Sequence, residues 1–113
     1  MALKLTYAIK FVADMDRAVK FYRDTLGLTL KHQSSEWSEF STGETSLALH
    51  KASEKNPAGS VELGLNVENI QAFYKEMTGK GVKFPQAPTM QQYGELLAQF
   101  VDSEGGRCSV SGK

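Results

Sequence analysis

A chain of 113 residues has the size of one ordinary domain, large enough for a core but with little apolar surface to spare. Hydrophobic residues at 41% and charged residues at 23% are the proportions of a globular protein, not of a disordered or fibrous one. Thirteen basic and thirteen acidic side chains cancel, and no Lys/Arg run occurs, which argues against a nucleic-acid partner gripped through its phosphates. Cys108 is the single cysteine, so neither an intrachain disulfide nor a multi-cysteine metal cluster can form, as suits a reducing compartment. No segment approaches the roughly 20 apolar residues that span a bilayer. The first residues carry Lys4 and Lys10 inside their pattern, unlike a signal peptide. A soluble, cytoplasmic protein with no membrane partner is expected.

Residues 5–12, LTYAIKFV, are β-branched and aromatic-rich and predict a strand. Asp14 suits a helix N-cap, its carboxylate accepting from the free N–H groups of the first turn. Met15, Ala18, Val19, Tyr22 and Leu26 follow at helical spacing, and Gly27 suits the left-handed residue that ends a helix. Strands are expected at Thr29–Gln33, Glu36–Ser41 and Thr45–Lys51, the last two joined by a turn at Thr42-Gly43-Glu44. The first unit therefore reads βαβββ.

The pattern then returns. Val12 answers to Val67, Asp14 to Asn69, Met15 to Ile70, Ala18 to Phe73, Val19 to Tyr74 and Tyr22 to Met77, all at one constant offset. A recurring unit is one supersecondary element that cannot bury its apolar face alone. We place the boundary at Asn56-Pro57-Ala58-Gly59, giving one domain over 1–113 with modules 1–56 and 57–113. The second module predicts a strand at Ser60–Val67, a helix capped by Asn69 and stopped by Gly79 and Gly81, and strands at Val82–Phe84, Leu96–Asp102 and Arg107–Ser111. Residues 85–94 are expected to form an irregular loop, either a crossover or the rim of a site.

Strand alternation assigns faces. Tyr7, Ile9 and Phe11 share one face of the first strand, and Glu62, Gly64 and Asn66 share the corresponding face of its counterpart. Val61, Leu63, Leu65 and Val67 are the apolar alternates expected against the helix. The polar set around Glu62 is the first functional lead.

The stretch FVADMDRAVKFYRDTLGL resembles the opening signature of the vicinal oxygen chelate superfamily, which includes glyoxalase I, bleomycin-resistance proteins and extradiol dioxygenases. The closing QFVDSEGGRCSV resembles its final F-x-D-P-[DE]-G turn, with Ser103 where proline is common. The match runs from about Leu5 to Val110 and includes the internal repeat. It implies an α+β fold: two tandem βαβββ modules forming a curved mixed sheet around a cleft, helices on the outer face, commonly as a homodimer. Metal enzymes of the superfamily place four ligands in that cleft. The resemblance carries those positions to Tyr7, Ala48, Glu62 and Ser109, of which only Glu62 is an ordinary ligand for a divalent transition metal.

The usual metal centre is therefore not expected, and no cofactor is. Were a divalent metal held, Glu62 and His50 would hold it, His50 sharing the parity of Ala48, with Tyr7 or Asp102 assisting. The lining expected for the cleft includes Tyr7, Phe11, Trp37, Ala48, His50, Glu62, Asn66, Arg107 and Ser109, with Ile9, Gly64 and Phe40 as further members. Apolar and aromatic walls with a few polar groups suit a small molecule, and aromatic rings stack on planar or cationic ligands. Glu62 is the candidate proton shuttle, with Arg107 or His50 to stabilise a developing anion; a structural Glu62–Arg107 ion pair is the bland alternative. Two functions follow from the resemblance. One is a small-molecule binding protein of the bleomycin-resistance type without the metal. The alternative is a metal-dependent lyase, isomerase or dioxygenase related to glyoxalase I with a nonstandard ligand set.

Overall fold

The computed structural model describes residues 3–113. Among them, eight strands and two α-helices run in the order β1 (Lys4–Val12), α1 (Met15–Lys20), β2 (Thr29–Gln33), β3 (Trp37–Ser41), β4 (Ser46–Lys51), β5 (Val61–Asn66), α2 (Ile70–Gly79), β6 (Gln86–Met90), β7 (Leu96–Val101) and β8 (Arg107–Gly112). The fold is α+β, and both copies of the βαβββ pattern are present. Two compact units divide the chain, Thr6–Val61 and Glu62–Lys113, the latter joined by the start of β1 through Leu5.

In the Thr6–Val61 unit the strand order is β2-β3-β4-β1, with β4 and β1 parallel and the other pairs antiparallel. Asp14 caps α1, accepting from the Arg17 amide at 3.1 Å. Val19, Phe40 and Leu49 form the core between helix and sheet, with Met15, Ala18, Tyr22 and Leu30 around them. Ser38 is fully buried there and donates its hydroxyl to Met15 Sδ. The other face of this sheet has its own cluster of Ile9, Phe11 and Ala48, with Tyr7 and Trp37 packed on it.

The helical stripe does not run to Leu26 as its spacing suggests. After Lys20 the chain takes a π-helical turn, Phe21–Thr25, closed by the Leu26 amide on the Phe21 carbonyl. A five-residue step advances the phase past that of an α-helix. Leu26 consequently faces solvent, 55% exposed, and so does much of Phe21. Gly27 follows at φ 78°, the left-handed conformation expected of it.

In the Glu62–Lys113 unit the order is β5-β8-β7-β6, with β5 and β8 parallel and the rest antiparallel. Asn69 caps α2 by accepting from the Ala72 amide at 3.0 Å, repeating the Asp14 contact residue for residue. Val67, Ile70, Phe73, Ala98 and Val110 are the core, ringed by Leu65, Met77, Phe84 and Phe100. Gly112 sits where a Cβ would collide with the Val67 carbonyl, so only glycine lets β8 pass there.

Three expectations for this unit need correction. Val82–Phe84 is not a strand; the strand is Gln86–Met90, inside the stretch read as a loop. Its prolines and glutamines hid it, but β6 pairs only with β7, and its register shifts between Gln86 and Thr89, around Pro88. A strand with one partner tolerates a residue that has no N–H to donate. Val61 and Leu63 are exposed at 56% and 42% rather than packed on α2, because α2 begins only at Ile70 and its core takes in Leu65, near the end of β5, and Val67 just after it.

Candidate functional site

Each unit presents one sheet face that its helix does not cover, and the two faces differ in chemistry. On the Glu62–Lys113 unit the face is polar. Register pairs Gly64 with Ser109 and Asn66 with Ser111 across β5 and β8, and Ser109 with Gln99 across β8 and β7. Ser109 donates its hydroxyl to Glu62 Oε2. Asn66 Nδ2 donates to Ser111 Oγ at 3.1 Å. Glu62 is 7% exposed, and Ser109 is its one hydrogen-bond partner among the described residues.

That arrangement is unusual in its charge balance. A buried carboxylate is ordinarily held by a cation or by several donors, since the desolvation penalty is several kcal/mol. A hydrogen bond to a charged group returns only about 1.5–3 kcal/mol. Arg107 is the obvious cation, being the next residue along β8 on this face, but it is exposed and its Nη1 donates to Gln99 Oε1 at 3.3 Å. The anticipated Glu62–Arg107 ion pair is not formed. Cys108, on the opposite face of β8, is buried, and burial first, then the Asp102 and Glu62 charges, pushes its thiol up.

On the Thr6–Val61 unit the uncovered face is aromatic. Alternation along β1, β3 and β4 puts Tyr7, Phe11, Trp37, Ala48 and His50 on one sheet face. Tyr7 and Trp37 meet edge to face, ring centroids 5.6 Å apart; Trp37 and His50 do so at 6.0 Å; Phe11 and His50 lie at 5.3 Å. Ile9, Phe11 and Ala48 are buried beneath the rings, while Tyr7 and Trp37 are half-buried and His50 is exposed. His50 Nδ1 lies 2.8 Å from the Lys51 carbonyl oxygen, which engages one ring nitrogen locally.

Phe40 is not on this face. It is fully buried on the helix side with Leu49 and Val19; three residues from Trp37, it has the opposite parity in a strand. The residue that does share Trp37's face is Glu39, absent from the lining expected above. Glu39 Oε1 accepts from Trp37 Nε1 at 2.9 Å and from the Tyr7 hydroxyl at 3.4 Å. Period-two alternation from Trp37 was signal enough to find it.

The fit to a metal centre is poor. Among the described residues no three His, Cys, Asp or Glu side chains gather closely enough to hold an ion. Asp102, considered as a helper, spends its Oδ1 on the Glu104 and Gly106 amides within its own turn. A hollow of about 430 Å³ beside Lys80, Lys83 and Ser103 contains none of the anticipated site residues except Asp102. No helix among the described residues is long and apolar enough to cross a membrane.

Comparison with known proteins supports the resemblance read from the sequence. The uncharacterised protein YraH of Bacillus subtilis (strain 168) is 26% identical over 118 residues, spanning 90% of this chain and 92% of that protein. Among solved structures, a methylmalonyl-CoA epimerase of Streptomyces coelicolor superposes with a TM-score of 0.80 at 17% identity, covering 97% of this chain and 94% of its own. A glyoxalase/bleomycin resistance protein/dioxygenase superfamily member from Vibrio splendidus 12B01 gives 0.76 at 15%, covering 99% and 100%. At such identities these structures speak for the fold and not for the reaction. The family model for that superfamily matches residues 4–107, and the chain belongs to the Glyoxalase/Bleomycin resistance protein/Dioxygenase superfamily.

Proposed function

We propose that this chain is a small-molecule binding protein of its superfamily that works without the usual metal centre. The observation that carries the reading is Glu62: a carboxylate with nine-tenths of its surface buried, held by one serine hydroxyl and by no cation among the described residues. A group in that condition is suited to a ligand that brings a positive charge or N–H donors, because pairing offsets a penalty the protein already bears. Ser109 fixes the direction of the carboxylate, and Asn66 with Ser111 supplies further polar groups beside it. The Thr6–Val61 unit has a face of its own, where aromatic rings offer stacking area.

The positions equivalent to metal ligands support the metal-free reading. Tyr7 and Ala48 form part of an aromatic cluster, and Ser109 serves Glu62 as a donor. Neutral hydroxyl and methyl groups are poor ligands for Zn²⁺, Ni²⁺ or Fe²⁺.

The test is a titration of ¹⁵N-labelled protein with aromatic amines and their uncharged analogues, followed by NMR. Amide shifts at Glu62 and Ser109 on adding the amine, lost in Glu62→Gln, are the expected result. A protein whose β5 and β8 amides ignore every fragment would contradict it.

A further inference from the structure

On the aromatic face, the two oxygens of Glu39 are in different states. Oε1 is committed to Trp37 Nε1 and the Tyr7 hydroxyl, which fix the carboxylate's orientation. Oε2 has one partner among the described residues, Lys31 Nζ at 3.8 Å, beyond hydrogen-bond length. The Lys31 side chain is half exposed, and an ion pair of that kind contributes about 0–1 kcal/mol. It is readily displaced.

The surroundings favour a cation in its place. Tyr7, Trp37 and His50 stand at steep angles to one another, 77° and 87° between successive planes. The faces of Tyr and Trp rings are electronegative and attract ammonium groups, most strongly where water is partly excluded. Ala48, across from Glu39 on β4, contributes no polar side-chain atom. Glu39, partly buried, attracts positive charge through its carboxylate, and the neighbouring Tyr7 and Trp37 rings add π surface for the same group.

We propose that Glu39, Tyr7, Trp37 and His50 form a subsite for an organic cation, an ammonium or amidinium group on a small apolar body, and that Lys31 Nζ fills it in the unliganded chain. The proposal rests on the small-molecule reading above and names the charge of the group bound on this face. Lys31 then acts as a weak internal competitor.

Trp37 is the single tryptophan, so intrinsic fluorescence reports on this subsite directly. At fixed ionic strength, benzyltrimethylammonium should change Trp37 emission saturably, while benzyl alcohol and benzoate should not. Glu39→Gln should weaken that binding about tenfold, since it removes the charge and keeps the shape. Lys31→Gln should strengthen it about twofold by removing the competitor. Circular dichroism and melting curves establish that each variant is folded. A flat titration with the cation, an equal response to benzyl alcohol, or undiminished binding in folded Glu39→Gln would overturn the proposal. Should Glu39→Gln lose its fold, Lys31→Gln decides: unchanged or weaker binding overturns it. The NMR response at Glu62 and Ser109 is read independently, so failure here leaves the broader reading to its own test.

Discussion

Replacing Glu62 by Gln removes a charge whose one hydrogen-bond partner among the described residues is Ser109, and leaves that hydrogen bond in place. Glu62→Gln should therefore raise stability by about 1 kcal/mol, even as it weakens binding, the trade expected where a protein carries an unfavourable group for function. Ser109→Ala takes away the donor and leaves the carboxylate buried, and should cost about 2 kcal/mol. Urea denaturation of the three proteins checks both signs; a destabilised Glu62→Gln would mean that the charge is already compensated. Cys108 makes a separate prediction. Because burial raises its pKa, the folded thiol stays protonated where an unfolded one, near 8.5, begins to ionise. Stability from this group is complete below the unfolded pKa and is lost as pH rises through the folded value. Native protein at pH 8 should react slowly with a thiol reagent and quickly in denaturant.

At the scale of elements, the duplicated helix starts are the clearest link between sequence and structure. Asp14 and Asn69 cap in the same way, each accepting from the amide three residues on. Asp14→Ala and Asn69→Ala should each cost about 1 kcal/mol, measurable as a fall of about 4 °C or more in melting temperature. A loss at only one site would show that the repeat is no longer symmetric in energy. The helix stripes, the capping pair and the strands from β1 to β5 were legible because period and capping chemistry are local. The π-helical turn was not, since one extra residue per turn leaves no mark in the spacing that precedes it. β6 was missed because its pairing with β7, not its own composition, makes it a strand. Phe40 was misplaced and Glu39 overlooked by one error of parity. The Glu62–Ser109 contact was only half legible: the resemblance marked both positions, but nothing local said that they touch.

For the molecule as a whole, the repeat and the family match identify the architecture, and the two sheet faces that the helices do not cover differ in their chemistry. One face offers rings and Glu39, the other Glu62 with hydroxyl and amide groups. We further propose that the chain works as a homodimer, because Leu3, Leu5, Val61 and Leu63 all leave apolar surface in water. Light scattering should then give twice the 12.4 kDa chain mass, and Leu63→Glu should shift it toward the monomer. The central claim is the absence of a metal from the working site, and calorimetric titration of chelator-treated protein with Zn²⁺, Ni²⁺, Mn²⁺ and Fe²⁺ tests it most directly. The expected outcome is no saturable heat from any of the four ions. Stoichiometric binding of one of them, abolished in Glu62→Gln, would contradict the account.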